Sequence, residues 1–338
     1  MKRSTIIFFL LFVSGGTLAG QTLKYAVTDL GPLSERTPLS AVRHINDAGT
    51  AAATIPATDP NVRAARWSSF LGFEDLAADS STGSSVARSI NYAGDIAGWT
   101  VDANGAETAA VWRAQQMTLL ALPGTASHAK DINDSGQVVG DYVTAAGTRA
   151  FLWDPVAGAL ELGMLPGSTS CYATAINRYE DVVGYCVNPA ATFPLKAFIW
   201  SRQAGMRAVL PKFSGSTVAL GVNDLRQVVG YVQDKTSSSA FICDMASSRT
   251  VYMPAPRTRS GSQYSVAHGV NEAGTAAGEA NARAYLYLQG KQYDLNSLIP
   301  GDSGWTLVAA YHLNAAGQIV GVGNLNGRRR GFMLTPVR

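Results

Sequence analysis

Seven copies of one phrase, four strand-like runs in each copy and chain ends that complete one another together predict an all-β fold. Its form is a seven-bladed β-propeller with four antiparallel strands per blade, in a chain of 338 residues. The phrase centres on an apolar-Asn pair: "RHINDAGTAAA", "RSINYAGDIAG", "KDINDSGQVVG", "TAINRYEDVVG", "LGVNDLRQVVG", "HGVNEAGTAAG" and "YHLNAAGQIVG". The asparagines are Asn46, Asn91, Asn133, Asn177, Asn223, Asn271 and Asn314, spaced by 45, 42, 44, 46, 48 and 43 residues. A fixed period in that range marks a repeat architecture.

The elements follow in order. Residues 1–19 carry a basic start (Lys2, Arg3), the apolar run "IIFFLLFV" and small residues before Gly20, the pattern of a secretory signal peptide. Gln21 stands where a lipoprotein would place its cysteine, so a secreted or periplasmic protein without lipid or C-terminal anchor is expected. Residues 20–338 then read as one propeller domain. Within a copy, apolar runs flank Asn-x-x-Gly, with Asn at the first and Gly at the last turn position, which encodes a hairpin. A third strand follows, as in "RAFLWD" (149–154), "KAFIWS" (196–201), "SAFICD" (239–244) and "RAYLYL" (283–288). Fourth runs are "MTLLALPG" (117–124), "ALELGMLPG" (159–167) and "KQYDLNSLIPG" (291–301). The last copy has only three strands, and "KYAVTDLGPL" (24–33) supplies the missing fourth from the other end. Joining the two would close the ring without an exposed edge. A β-solenoid, the runner-up, gives no reason for that arithmetic.

The phrases "IN-x-x-G-x-VVG" and "AFLW…LG-x-LPG" resemble the bacterial HAF repeat of extracellular proteins, over nearly the whole mature chain. The resemblance implies export and repeat architecture and brings no established activity. The histidine that names the repeat is replaced here by Arg149, Lys196, Ser239, Arg283 and Arg330.

Residues common to all copies are scaffold, so function is expected where the copies differ. Three before each Asn stand Arg43, Arg88, Lys130, Thr174, Leu220, His268 and Tyr311; two before stand His44, Ser89, Asp131, Ala175, Gly221, Gly269 and His312. These positions border the central channel or the seams between blades. Copies 7, 1, 2 and 3, neighbours in a closed ring, hold nearly all the polar groups. Arg43, His44, Arg88, Lys130, Asp131, His268, Tyr311 and His312 are therefore the candidate binding residues at the channel mouth. No cofactor is required by the sequence; a divalent metal on His44 and His312 is the alternative to histidines bonded to backbone carbonyls.

Composition narrows the partners. Charged residues are 15% of the chain, and removing Lys2 and Arg3 takes the formal charge from +3 to +1, which gives no case for nucleic acid or an acidic membrane. No spanning segment follows the signal. "GRRRG" (327–331) reads as a hairpin turn, and Glu74/Asp75 and Glu180/Asp181 as solvated turns. No GxSxG, HExxH, CxxC or phosphate loop is present, and the catalytic residues, if any, are unknown. Cys171 and Cys186 fall nearly opposite across the copy 4 hairpin, where export makes a disulfide expected, leaving Cys243 a free thiol. An exported, monomeric binding scaffold for an extracellular or periplasmic glycan, peptide or surface partner ranks first. A metal-dependent polysaccharide lyase or hydrolase is second, and a structural or adhesive surface protein third.

Overall fold

The computed structural model describes residues 23–34, 39–57, 61–76, 83–256 and 263–337, so the signal-peptide reading of residues 1–19 lies outside the described residues. Twenty-eight strands are present among the described residues, arranged in antiparallel runs of four. Copy 3 is typical: Ala126–Ile132, Val138–Thr144, Gly147–Asp154 and Gly158–Glu161 pair in chain order. The runs of copies 5 and 6 merge into an eight-stranded sheet through a short parallel contact, Ser237 with Gln263 and Ser238 with Tyr264.

The chain ends meet as the strand arithmetic requires. Tyr25–Pro32 lies antiparallel on Arg328–Pro336, from Tyr25 opposite Pro336 to Pro32 opposite Arg330, and Arg330 pairs with Asp29 at 2.7 Å. The "GRRRG" stretch is a tight turn at Asn326 and Gly327, both at positive φ, running into that strand.

The core lies between successive sheets. One cluster joins Ala97, Val111 and Leu120 of copy 2 to Ala129, Ile132, Val138 and Phe151 of copy 3; another joins Leu162 of copy 3 to Cys171, Val182 and Phe198 of copy 4. Small residues let the sheets approach. A hydroxyl six residues before the Asn accepts from the preceding copy's third strand: Ala64 N to Ser85 Oγ at 2.9 Å, Ala109 N to Ser127 Oγ at 3.0 Å, Ala197 N to Thr217 Oγ1 at 2.8 Å and Ala240 N to Ser265 Oγ at 2.9 Å.

The outer strands are shorter than the sequence runs imply. Gln116–Leu119, Gly158–Glu161 and Lys291–Asp294 each span four residues. The next leucine turns inward: Leu120 and Leu162 are buried in the seams and donate to Ala109 O and Ala150 O. In copy 6 the expected strand over 291–301 gives way to a 3-10 turn, Leu295–Ser297, capped by Asp294 and pinned by buried Leu295. Burial of that leucine outweighs strand continuation.

The asparagine does more than turn the chain. Its Oδ1 accepts the N–H group four residues on in every copy and also the one two residues on in five, as Ala48 and Thr50 on Asn46 at 3.1 and 2.9 Å. Its Nδ2 reaches the backbone oxygen of the next copy's asparagine. The links run Asn46 to Asn91 (2.8 Å), Asn91 to Asn133 (3.2 Å), Asn133 to Asn177 (3.2 Å), Asn177 to Asn223 (3.1 Å), Asn223 to Asn271 (2.9 Å), Asn271 to Asn314 (3.2 Å) and Asn314 to Asn46 (3.0 Å). The circuit closes on itself. Two copies lack the turn glycine, and Glu180 and Arg226 occupy its left-handed conformation at φ 64° and 59°. Asp181, expected as a solvated turn residue, is instead buried, held by Arg226 of the next copy at 2.7 Å and by Asn177 Nδ2 at 3.1 Å.

Cys171 and Cys186 are directly opposed and disulfide-bonded, and Cys243 is a buried free thiol.

Two outcomes test this reading. Asn223→Asp keeps the turn acceptor but puts a carboxylate against Asn271 O, and should lower unfolding free energy by about 3 kcal/mol in urea. A side chain serving the turn alone would tolerate Asp. The Cys171→Ser/Cys186→Ser double variant should lose about 3 kcal/mol by loop entropy, measured the same way against oxidised wild type.

Candidate functional site

The inner strands are Ala41–Ile45, Ser84–Ile90, Ala126–Ile132, Ser170–Ile176, Ser216–Val222, Gln263–Val270 and Trp305–Leu313. In each, pairing with the second strand slips three residues before the asparagine, and the skipped residue is Arg43, Arg88, Lys130, Thr174, Leu220, His268 or Tyr311; the last strand slips a second time, at Val308. Bulges re-aim side chains and recur beside binding sites. Here they send the position three before the asparagine into a central cavity of about 740 Å³. The bulge draws the strands together: a Cβ on Gly140 would lie 1.9 Å from His128 O, and on Gly98 1.8 Å from Val86 O.

All eight candidate residues line this cavity. They divide by position. Those three before the asparagine face the opening. Arg43 stacks its guanidinium 4.5 Å from the Tyr311 ring centre, and its Nε is buried without a hydrogen-bond partner. Lys130 lies 3.5 Å from Asp141 and 4.8 Å from the Trp99 ring. His268 meets Tyr311 edge-on at 5.1 Å and Glu279 at 3.5 Å. Burial, then neighbouring Arg43, lowers the Arg88 pKa to about 9, and burial also lowers that of Lys130.

Those two before the asparagine serve the seams. Asp131 accepts from Ser89 Oγ of copy 2, from its neighbour Ile132 N at 2.9 Å and from Ile176 N of copy 4 at 2.9 Å. Burial still pushes its carboxyl up to about 6. His44 and His312 meet across the closure seam as stacked rings, 3.6 Å apart and 25° from parallel, with His312 Nδ1 3.1 Å from Ile45 O. Stacked planes set the ring nitrogens side by side instead of converging them on one ion. Among the described residues no group of three or more metal-ligating side chains is assembled. The apolar arc is formed by Leu220 and by Thr174, whose hydroxyl bonds Val183 O and Ala219 O at 3.1 and 2.9 Å.

Sequence reasoning missed several lining residues. Asp141 and Tyr185 come from second strands, just after the close-approach glycine, and Tyr172 stacks on Tyr185 at 5.0 Å. His128 is held at both nitrogens, by Asp141 and Glu107 at 2.8 Å each. Burial opposes its charge, but the two carboxylates together raise its pKa. At the mouth, the residue after each asparagine forms a further layer: Tyr92 N donates to Asp134 at 2.8 Å, Arg178 N to Asp224 at 3.1 Å and Ala315 N to Asp47 at 2.8 Å. Trp99 is buried at a seam with Val62 and Val86.

No family model and no curated protein matches the sequence. Solved structures do. The chain is similar to virginiamycin B lyase from Staphylococcus aureus (9% identity, TM-score 0.55, covering 93% of this chain and all of that one). It is also similar to an oligogalacturonate lyase in complex with manganese (12%, TM-score 0.56, covering 94% and 96%). A third likeness is the β-propeller domain of the Trilobed protease from Pyrococcus furiosus (10%, TM-score 0.53, covering 93% and 95%). The fold is a β-propeller of four-stranded antiparallel sheets.

The imidazole stack carries a pH signature. Burial, then the charge of His312, holds His44 well below its ordinary pKa, and burial lowers His312 from 6.5 to about 4. The unfolded chain binds more protons between those values, so this stability is complete above about 6.5 and is lost as pH falls toward about 4. Urea unfolding at pH 7.5 and 4.5 should show the loss, and His312→Gln should reduce the difference between the two conditions; an unchanged difference would refute it.

Proposed function

We propose that this chain is an exported, seven-bladed β-propeller acting as a binding scaffold, which takes an extracellular or envelope ligand through its channel mouth. The HAF-repeat resemblance and the signal-like N-terminus support export, and the disulfide is compatible with an oxidising compartment. Among the described residues no helix is long and apolar enough to cross a membrane. The asparagine circuit supports the blade count.

One observation carries the binding reading. The same bulged position, fixed by an unvarying scaffold, carries two arginines, a lysine, a threonine, a leucine, a histidine and a tyrosine around one cavity. A purely structural plug would favour one apolar residue repeated. Convergent polar groups in a concave site of this size are the usual mark of a ligand pocket. Metal-dependent polysaccharide cleavage is the second reading. It rests on the histidines of the channel, and the propeller likenesses, at about 10% identity, bear on fold alone.

Residues 20–338, purified oxidised, should bind a subset of a saccharide array, and Tyr311→Ala should abolish that binding while leaving the melting temperature within about 3 °C. Absence of binding to saccharides and to a peptide library would overturn the scaffold reading. Turnover of a polysaccharide panel with added Mn²⁺, Ca²⁺ or Zn²⁺ would replace it with the enzyme.

A further inference from the structure

Resting on that binding reading and deepening it, we propose that the channel takes an acidic saccharide, with the sugar carboxylate held among Arg43, Arg88 and Lys130. The three cations occupy the bulged position on three successive inner strands and line one arc of the cavity. Their own partners leave them unsatisfied. Arg43 has the Tyr311 ring beneath it and a buried Nε with no acceptor, and interacts with Glu279 only as a more distant charge. Arg88 makes no hydrogen bond or ion pair among the described residues and feels Asp131 and Asp141 only as more distant charges. Lys130 shares Asp141 with His128 at 3.5 and 2.8 Å. Buried guanidinium donors without acceptors are costly, and a carboxylate is the group whose two oxygens match their geometry.

Charge selects among anions. The arc holds three cations against two carboxylates, Asp131 and Asp141, an excess of one positive charge that suits a monoanion. The mouth carries Asp47, Asp134, Asp224 and Glu272 against Arg178, which disfavours entry of a phosphate-rich polyanion. Shape selects the rest of the ligand. Leu220 and the stacked pair Tyr172 and Tyr185 line the wall, and Tyr92 stands 66% exposed at the rim. Aromatic faces beside hydrogen-bonding groups suit a sugar ring, apolar on its faces and polar at its edge. An extended peptide would need a straight strand edge to pair with, and every inner strand facing the channel is broken by its bulge.

The test is titration calorimetry of oxidised residues 20–338 with four probes: a glucuronate-containing disaccharide, its neutral glucose counterpart, inorganic sulfate, and a short peptide with a free C-terminal carboxylate. The acidic disaccharide should bind at least about tenfold tighter than each other probe, and Arg88→Met should lose at least about tenfold for it with no fall in melting temperature. Equal binding of the neutral disaccharide overturns the carboxylate assignment and leaves the scaffold reading standing. Sulfate or the peptide binding as tightly overturns the saccharide in favour of a general anion site or a peptide end. Binding of none of the probes, when the array finds another ligand, also overturns this inference alone. Should Arg88→Met fail to fold, the wild type decides: binding must weaken between about 50 and 500 mM NaCl, since a charge pair is screened, and salt-independent binding overturns the proposal.

Discussion

The carboxamide of one asparagine per copy holds the inner rim together, and the rest of the architecture depends on its two-sided chemistry. Its oxygen accepts one or two backbone N–H groups of its own turn, and its nitrogen donates to the neighbouring copy, so turn and ring closure share one side chain. Only asparagine meets both demands at that reach. Aspartate has the acceptors and no donor; glutamine has both, on a stem one carbon too long for the turn. In five copies the residue four further on adds a side-chain acceptor to the same nitrogen, as Gln137, Gln227 and Gln318 do at 2.8 to 2.9 Å. The seven asparagine carboxamides are buried and paired, which is the condition under which a polar ring fixes geometry.

Holding the rim fixes what lies one turn deeper. The bulge falls three residues before each asparagine, and the glycine or Ala53 of the facing strand gives it room. A single slip in pairing thereby separates two jobs that adjacent residues perform. Arg88 faces the cavity while Ser89 bonds Asp131 at the seam; Tyr311 faces it while His312 stacks on His44. The scaffold can keep its seams and vary its channel, because in most copies the two sets of side chains make separate contacts; Thr174, which bonds Ala219 O of the next copy, serves both, and Arg88 feels the seam carboxylate Asp131 only as a charge.

Much of this was legible in the sequence, and the exceptions have a common cause. The repeat period, the hairpin turn and the pairing of residues 24–33 with the last copy follow from local patterning and from counting strands. Cys171 and Cys186 follow from hairpin register, and the eight cavity residues from comparing copies. The asparagine circuit was not legible, because turn chemistry already explains an Asn-x-x-Gly and nothing local announces a donor to a residue 42 to 48 positions away. The bulge has no compositional mark either, since the residue it ejects is whatever the channel requires. Without it, positions two and three before the asparagine could not be told apart, and Asp131 and Arg88 looked equally like ligand contacts. Asp181 looked solvated because its partner, Arg226, comes from the next copy. For the circuit and Asp181 the missing information was a contact between copies, and for the bulge a slip in pairing inside each copy; none of these is marked by local composition.

That distinction also sets the cations of copies 1 to 3 apart from the groups that hold the seams and the rim. Seam hydroxyls, rim carboxamides, the Asp131 carboxylate and the Asp181–Arg226 pair all end in partners within the protein. Arg43 and Arg88 do not: one has an orphaned donor and the other has like charge as a neighbour, enough with burial to lower its pKa to about 9 while leaving it charged at neutral pH. Folded proteins keep such local inconsistencies where function requires them. A channel wall that only filled space would gain stability from replacing either arginine by an apolar residue, as copy 5 has done with Leu220. Desolvated charge kept at a position where the copies differ is what the proposed ligand would neutralise.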